Sequence, residues 1–180
     1  QSNFAIIIKI MINAIMAVDD EGGISKNGSM PWPKNTEDLK RFKESTINNV
    51  VIMGRLTWVD PNMPTPLKNR INVLVTSQSE SLYPGADKYI SSDIINNVKK
   101  TVFEYNKKNI WIIGGSNLID QLFNLIDVFH LTRIKGKFNC DKKLDIDRIN
   151  KNMKIYSSNE SNDKSCTFQV WMRDRSRFNK

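Results

Sequence analysis

The chain has 180 residues, 39% of them hydrophobic, with 27 Lys and Arg against 19 Asp and Glu and a formal net charge of +8. That is enough apolar material for one packed domain, and 8 Gly and 6 Pro are too few for a disordered or collagen-like chain. The basic residues are spread along the chain without an aromatic-rich basic strand, which fits a solvated surface or an anionic small molecule better than nucleic acid.

The run from Phe4 to Val18 is apolar but interrupted by Lys9 and Asn13, so it reads as a long first strand and not as a membrane span. Its buried part is Ile10 to Val18, bounded by the turn-rich Asp19 to Gly23. Residues 1–10 read as an N-terminal extension, 11–173 as the domain, and 174–180 as a basic tail that continues Arg173 through Arg175, Arg177 and Lys180. Met30-Pro31-Trp32-Pro33 is stiff and extended, because proline fixes the backbone and restricts the residue before it. Thr36 is the expected cap of a helix to about Thr46, with Glu37 and Asp38 in its first turn.

Val50 to Met53, ending at Gly54, reads as a buried strand that feeds a short helix from Arg55, stopped by Pro61. Ile71 to Thr76 is another strand. Ser92 or Asp93 caps a helix through about Tyr105, with Ile94, Val98 and Val102 spaced along one face. Ile110 to Ile113 is a strand, Gly114-Gly115 a turn, and Ser116 to Phe123 a helix. Val128 to Ile134 and Thr167 to Met172 are the later strands. Alternating strands and helices followed by strands alone indicate an α/β fold, its sheet mostly parallel with an antiparallel edge.

Cys140 and Cys166 stand far apart, in no metal-like spacing, and reduced thiols are expected. His130 is the only histidine and lies in an apolar run, as an ordinary strand histidine would. No metal site is expected from this set. Asp38 shares a helix face with Phe42, where a carboxylate is costly unless partnered or protonated, yet an acid in a first helical turn is commonly just solvated. Gly114-Gly115-Ser116 and Met53-Gly54-Arg55-Leu56-Thr57 both carry a strand into a helix start, where backbone can approach a phosphate. Either could equally be an ordinary turn.

Order and spacing together are more specific. Ile15-Met16-Ala17-Val18, Gly28-Ser29-Met30-Pro31-Trp32, Asp38-Leu39-Lys40-Arg41-Phe42, Val51-Ile52-Met53-Gly54-Arg55-Leu56-Thr57-Trp58, Pro66-Leu67-Lys68-Asn69-Arg70, Ile113-Gly114-Gly115-Ser116 and Leu131-Thr132-Arg133-Ile134 resemble the dihydrofolate reductase family. The likeness runs from about Met11 to Arg173. It implies an eight-stranded mixed sheet flanked by helices, and reduction of dihydrofolate by hydride from NADPH in one-carbon metabolism.

The resemblance also implies roles. Asp38 would anchor the pterin and assist protonation, its pKa raised by burial, with Thr132 bonding the carboxylate and Trp32 holding a nearby water. Ile15, Met16, Ala17, Met30, Leu39, Phe42, Val51, Leu67 and Ile113 would wall the substrate, and Arg70 would fork its terminal carboxylate. Gly114, Gly115, Ser116, Asn117 and Leu118 would cradle the cofactor's phosphates around a cis Gly-Gly bond. Ala17, Ile24, Gly54, Arg55, Leu56, Thr57, Thr76 and Ser77 would complete its site. Glu37 would face solvent.

Several positions depart from the family pattern, among them Asp60-Pro61, which stands where Ser-Ile or Thr-Ile is usual, close to the folate mouth. Ile119 stands for a usual tyrosine, Leu56 and Asn117 carry no charge, and Ser25 replaces a glycine, so selectivity for NADPH over NADH would rest on Arg55 and Ser77. The same resemblance implies a cytoplasmic enzyme, a target of antifolates, without a nucleic-acid or membrane partner, and fused to or partnered with thymidylate synthase. The nearest alternative is a pyrimidine reductase of the same fold, which would lack the Trp32, Asp38, Phe42 and Arg70 set.

Overall fold

Runs of β-branched and apolar residues with few charges form strands buried on both faces, and these make the parallel part of the sheet. The computed structural model describes residues 10–174. In chain order come β1 (Ile12–Val18), β2 (Gly23–Ser25), α1 (Thr36–Thr46), β3 (Val50–Gly54), α2 (Arg55–Trp58), β4 (Ile71–Val75) and β5 (Lys88–Ile90). They are followed by α3 (Ile94–Glu104), β6 (Ile110–Ile112), α4 (Ser116–Leu122), β7 (Val128–Ile134), β8 (Lys142–Lys143), α5 (Ile146–Asn152), β9 (Met153–Glu160) and β10 (Cys166–Arg173).

Eight strands form one sheet in the order β5-β4-β3-β6-β1-β7-β10-β9. The pairings from β5 to β7 are parallel, whereas β10 runs antiparallel to both β7 and β9. The mixed, mostly parallel sheet with its antiparallel C-terminal edge is the architecture expected. β2 and β8 make a separate small pair.

Side chains alternate across β3, which sets the two layers. Val50 and Ile52 enter the larger core with Val98 of α3, Leu118, Ile119 and Leu122 of α4, and Ile149 of α5. Val51 and Met53 point the other way, to Trp58, Leu67, Trp111 and the α1 residue Phe42. Helices therefore cover both faces. Among the described residues no helix is long and apolar enough to cross a membrane.

Several local expectations are corrected. The cap of α1 is Asn35, not Thr36: its side chain accepts from the Asp38 amide at 3.0 Å and donates to Ser165 Oγ at 2.9 Å. Asp93 precedes α3 in a left-handed conformation without a side-chain cap bond. α2 ends at Trp58, ahead of Pro61, where the Val59 amide closes onto the Arg55 carbonyl. β2, β5, β8, α5 and β9 have no counterpart among the elements expected from the sequence. β9 is exposed along most of its length and is held by backbone pairing to β10, so it carries little apolar periodicity.

Arg173, read as the start of the basic tail, is the last residue of β10. It donates from Nε to the Ile126 carbonyl at 2.9 Å and from Nη2 to that of Phe123 at 2.7 Å. The expected strand residues Phe4 to Lys9, and tail residues Arg175, Arg177 and Lys180, lie outside the described residues. Cys140 and Cys166 are free thiols.

Candidate active site

The carboxyl ends of parallel strands are where loops diverge and leave room for a ligand. Here the ends of β1, β3, β4 and β6 meet α1 around a cleft of about 1260 Å³. Of the residues singled out from the sequence, Ile15, Met16, Ala17, Ile24, Met30, Asp38, Leu39, Phe42, Leu67, Arg70 and Ile113 line it. So do Gly54, Arg55, Leu56, Thr57, Thr76, Ser77, Gly115, Ser116, Asn117 and Leu118. Trp32, Val51, Gly114 and Thr132 stand behind the wall. Val51 is fully buried in the core, while Trp32 meets Phe138 edge-on at 5.9 Å beside Met30, Ile134 and Cys166.

Asp38 is the one carboxyl of α1 turned into the cleft. Burial pushes its pKa up, against a side-chain hydrogen bond from Thr132 and the positive charge of Arg41, which pull it down. The burial contribution wins, so the carboxyl holds a proton more readily than a solvated aspartate. Thr132 is fixed by the sheet: in β7 it pairs with Ala17 of β1 on one side and Phe168 of β10 on the other. One rung across three strands thus supports the carboxyl. Neighbouring Glu37 is not simply solvent-facing, as expected; it accepts from the Asn162 amide at 3.0 Å and ties α1 to the turn before β10.

Arg70 lies on the cleft wall at the far end of α1. It donates from Nε to the Lys68 carbonyl at 2.9 Å and from Nη1 to Thr46 Oγ1 at 3.1 Å, and burial lowers its pKa. Two anchors fix the plane of the guanidinium, which suits a planar carboxylate partner.

The opposite end is built from backbone. The Gly114–Gly115 peptide is cis, and Gly114 has φ +118°, where a Cβ would lie 2.9 Å from Met16 Sδ. Its carbonyl accepts from the Gly54 amide at 2.8 Å, which draws the two glycine turns together. A Cβ at Gly115 would meet nothing within 4 Å, because that side opens into the cleft. A bound group can therefore come right up to the backbone there, as a pyrophosphate requires. Beyond it, Thr76 accepts from the Gln78 amide at 3.2 Å and holds the Ser77 turn, while Arg55 and half-exposed Leu56 flank the cleft from α2. Gln121 donates to Asn117 Oδ1 at 2.9 Å, and Ile119 is buried in the larger core.

Sequence reasoning missed Asp19, which braces the loop that leads into β2. Asp19, buried at the end of β1, accepts from the amides of Gly23 at 2.8 Å, Glu21 at 2.9 Å and Phe138 at 3.1 Å. Burial alone would raise its pKa, but these bonds and the Cys140 thiol hold it below the usual carboxylate range. Asp141 accepts from the Asn27 amide at 2.9 Å and steadies the same loop. His130, expected to be an ordinary strand histidine, packs on Trp111 with ring centres 4.8 Å apart, and burial followed by the charge of Arg41 lowers its pKa to about 4.

The model of the family described as dihydrofolate reductase matches residues 11–173. The chain belongs to the dihydrofolate reductase family. The dihydrofolate reductase of Mus musculus is 32% identical over 142 residues, spanning 72% of this chain and 76% of that protein. Dihydrofolate reductase type 8 of Escherichia coli is 31% identical over 141 residues, spanning 76% of this chain and 82% of its own. Among solved structures, the dihydrofolate reductase from Enterococcus faecalis complexed with NADP(H) and RAB-propyl superposes with a TM-score of 0.72 at 27% identity, covering 91% of this chain and 96% of that one. The likeness to this dihydrofolate reductase therefore runs over most of the chain, and not over one motif alone.

Proposed function

We propose that this member of the dihydrofolate reductase family reduces 7,8-dihydrofolate to tetrahydrofolate, with substrate and NADPH side by side in the one cleft. The observation that carries the reading is Asp38: a carboxyl with raised pKa, braced by Thr132, at the apolar end of a cleft whose other end is bare glycine backbone.

NADPH, when bound, supplies the hydride. The chain's own residues bind, orient and protonate. Asp38 accepts hydrogen bonds from the pterin edge through its carboxylate oxygens and, when protonated, provides the proton bound for N5 by way of a water held near Trp32. Thr132 fixes the carboxyl's rotation. Ile15, Leu39, Phe42 and Leu67 exclude water from the ring, Arg70 pairs with the terminal carboxylate, and Met30 covers the reacting end. Gly114, Gly115, Ser116, Asn117 and Leu118 hold the pyrophosphate. Arg55, Thr57, Thr76 and Ser77 hold the adenosine side, and Arg55 with Ser77 gives preference for NADPH over NADH. The reading extends to supply of tetrahydrofolate for one-carbon metabolism and thymidylate synthesis in the cytoplasm, with thymidylate synthase as functional partner and antifolates as competitors for the pterin pocket.

The test is direct. Purified protein is expected to consume NADPH, followed by its near-ultraviolet absorbance, only when dihydrofolate is added, and more slowly with NADH. Folded protein that leaves the absorbance unchanged with fresh substrate overturns the proposal.

A further inference from the structure

Asp38 has a charged neighbour that the reaction as described does not use. Arg41 follows three residues later on α1, which places both side chains on one helix face toward the sheet. Its guanidinium carbon lies 4.6 Å from the centre of the Phe168 ring, and Phe168 is the β10 partner of Thr132 in the rung that braces Asp38. Nη1 is buried without a hydrogen-bond partner among the described residues. No ion pair with a carboxylate within contact distance is made by Arg41 among them, so its charge is left to act through space.

The groups it acts on can be named. On its own helix the nearby titratable group is Asp38; across the interface they are His130 on β7 and Cys166 on β10. Burial keeps His130 neutral at physiological pH and pushes the Cys166 thiol up, so neither supplies a countercharge there. A salt bridge made only for stability would close onto a partner. This guanidinium is instead stacked on a ring, three residues along the helix from the carboxyl and not paired with it.

We propose that Arg41 is a positioning residue of the reaction: clamped on Phe168 behind the pocket, its fixed charge favours the ionised form of Asp38 and so sets the upper pH limit of turnover. The direction follows from charge. Removing a cation disfavours the carboxylate, so the protonated acid persists to higher pH and the alkaline limb of the rate moves upward. This rests on the proposed role of Asp38 as proton source.

The test compares Arg41→Met, which removes charge but keeps an apolar stem on Phe168, with Arg41→Lys, which keeps charge but loses the planar stack. In single-turnover reduction of dihydrofolate, Arg41→Met is expected to move the alkaline midpoint up by about one pH unit. That corresponds to about a tenfold faster rate on the alkaline limb, while Arg41→Lys stays near the parent. A profile for folded Arg41→Met that superposes on the parent's overturns the proposal, as does an equal shift in both variants. Arg41→Gln serves if the Met variant does not fold. Carboxyl infrared difference spectra of the free protein, taken against Asp38→Asn, follow the same midpoint without turnover. An unmoved Asp38 midpoint overturns the proposal for Arg41, whereas a moved midpoint in a protein that does not reduce dihydrofolate overturns the proposed function and with it the role in turnover, while the action of the Arg41 charge on Asp38 stands.

Discussion

Two aspartates, one bracing a loop and one lining the cleft, have their pKa values displaced in opposite directions. Asp19, at the end of β1, and Asp38, on the first turn of α1, are both withdrawn from water, which by itself raises a carboxyl pKa. Asp19 receives three backbone amides and a thiol and is held ionised, while Asp38 receives one hydroxyl and a neighbouring charge and keeps a raised pKa. The balance between burial and donors decides the outcome: burial prevails at Asp38, while three amides and a thiol outweigh it at Asp19. A carboxylate saturated with amides is a fixed joint in the loop; one left short of donors is free to exchange a proton.

The largest break in that comparison is Asp38→Asn. Turnover at neutral pH is expected to fall by about 100-fold or more, the usual span for loss of a proton-handling group, measured as single-turnover reduction. Stability should move the other way. A carboxyl whose folded pKa is raised contributes fully below its unfolded pKa, near 3.9, and loses that contribution as pH rises through the folded value. The amide escapes this loss, so thermal unfolding at pH 7 is expected at the same or higher temperature than the parent, and a clear drop would contradict the assignment.

Next is Asp19→Asn, with an expected loss of about 3 kcal/mol in chemical denaturation at neutral pH, because an amide keeps one acceptor where several amide donors converge. The sign is opposite to that for Asp38. A depressed folded pKa gives stability that is present above about pH 3.9 and lost as pH falls through the folded value, so the gap between parent and variant should close in acid. A gap that stays constant with pH would show that shape, not charge, sets the loop. The smallest change is Thr132→Val, which takes one donor from Asp38: roughly 1 kcal/mol of stability and a further upward move of the Asp38 midpoint, read in the infrared.

Much of this was legible in the sequence, and unevenly so. Val128–Ile134 reads as a strand because it is buried on both faces, and Gly114-Gly115 as a close backbone approach because no other residue tolerates that φ without strain. The walls of the cleft follow from the motif order. The cap is Asn35 and not Thr36, and the sequence does not separate them because adjacent Asn and Thr are both good caps and only side-chain geometry decides. β9 escaped notice because an exposed, mostly polar edge has no pattern to read. Asp19 reads as part of the turn-rich stretch after the first strand, and Arg41 draws no reading of its own, because their partners lie far along the chain, at Phe138 and Phe168.

The rung through Ala17, Thr132 and Phe168 carries a consequence for how the protein is assembled. Side chains alternate between sheet faces, so a slip of one residue between β1, β7 and β10 would turn Thr132 and Phe168 away from α1 and leave Asp38 without its support. Such a mispaired chain would keep its helices and most of its strand content. Recovery of dihydrofolate turnover after refolding is therefore a stricter measure of correct strand alignment than recovery of circular dichroism, and the catalytic pocket doubles as a gauge of sheet register.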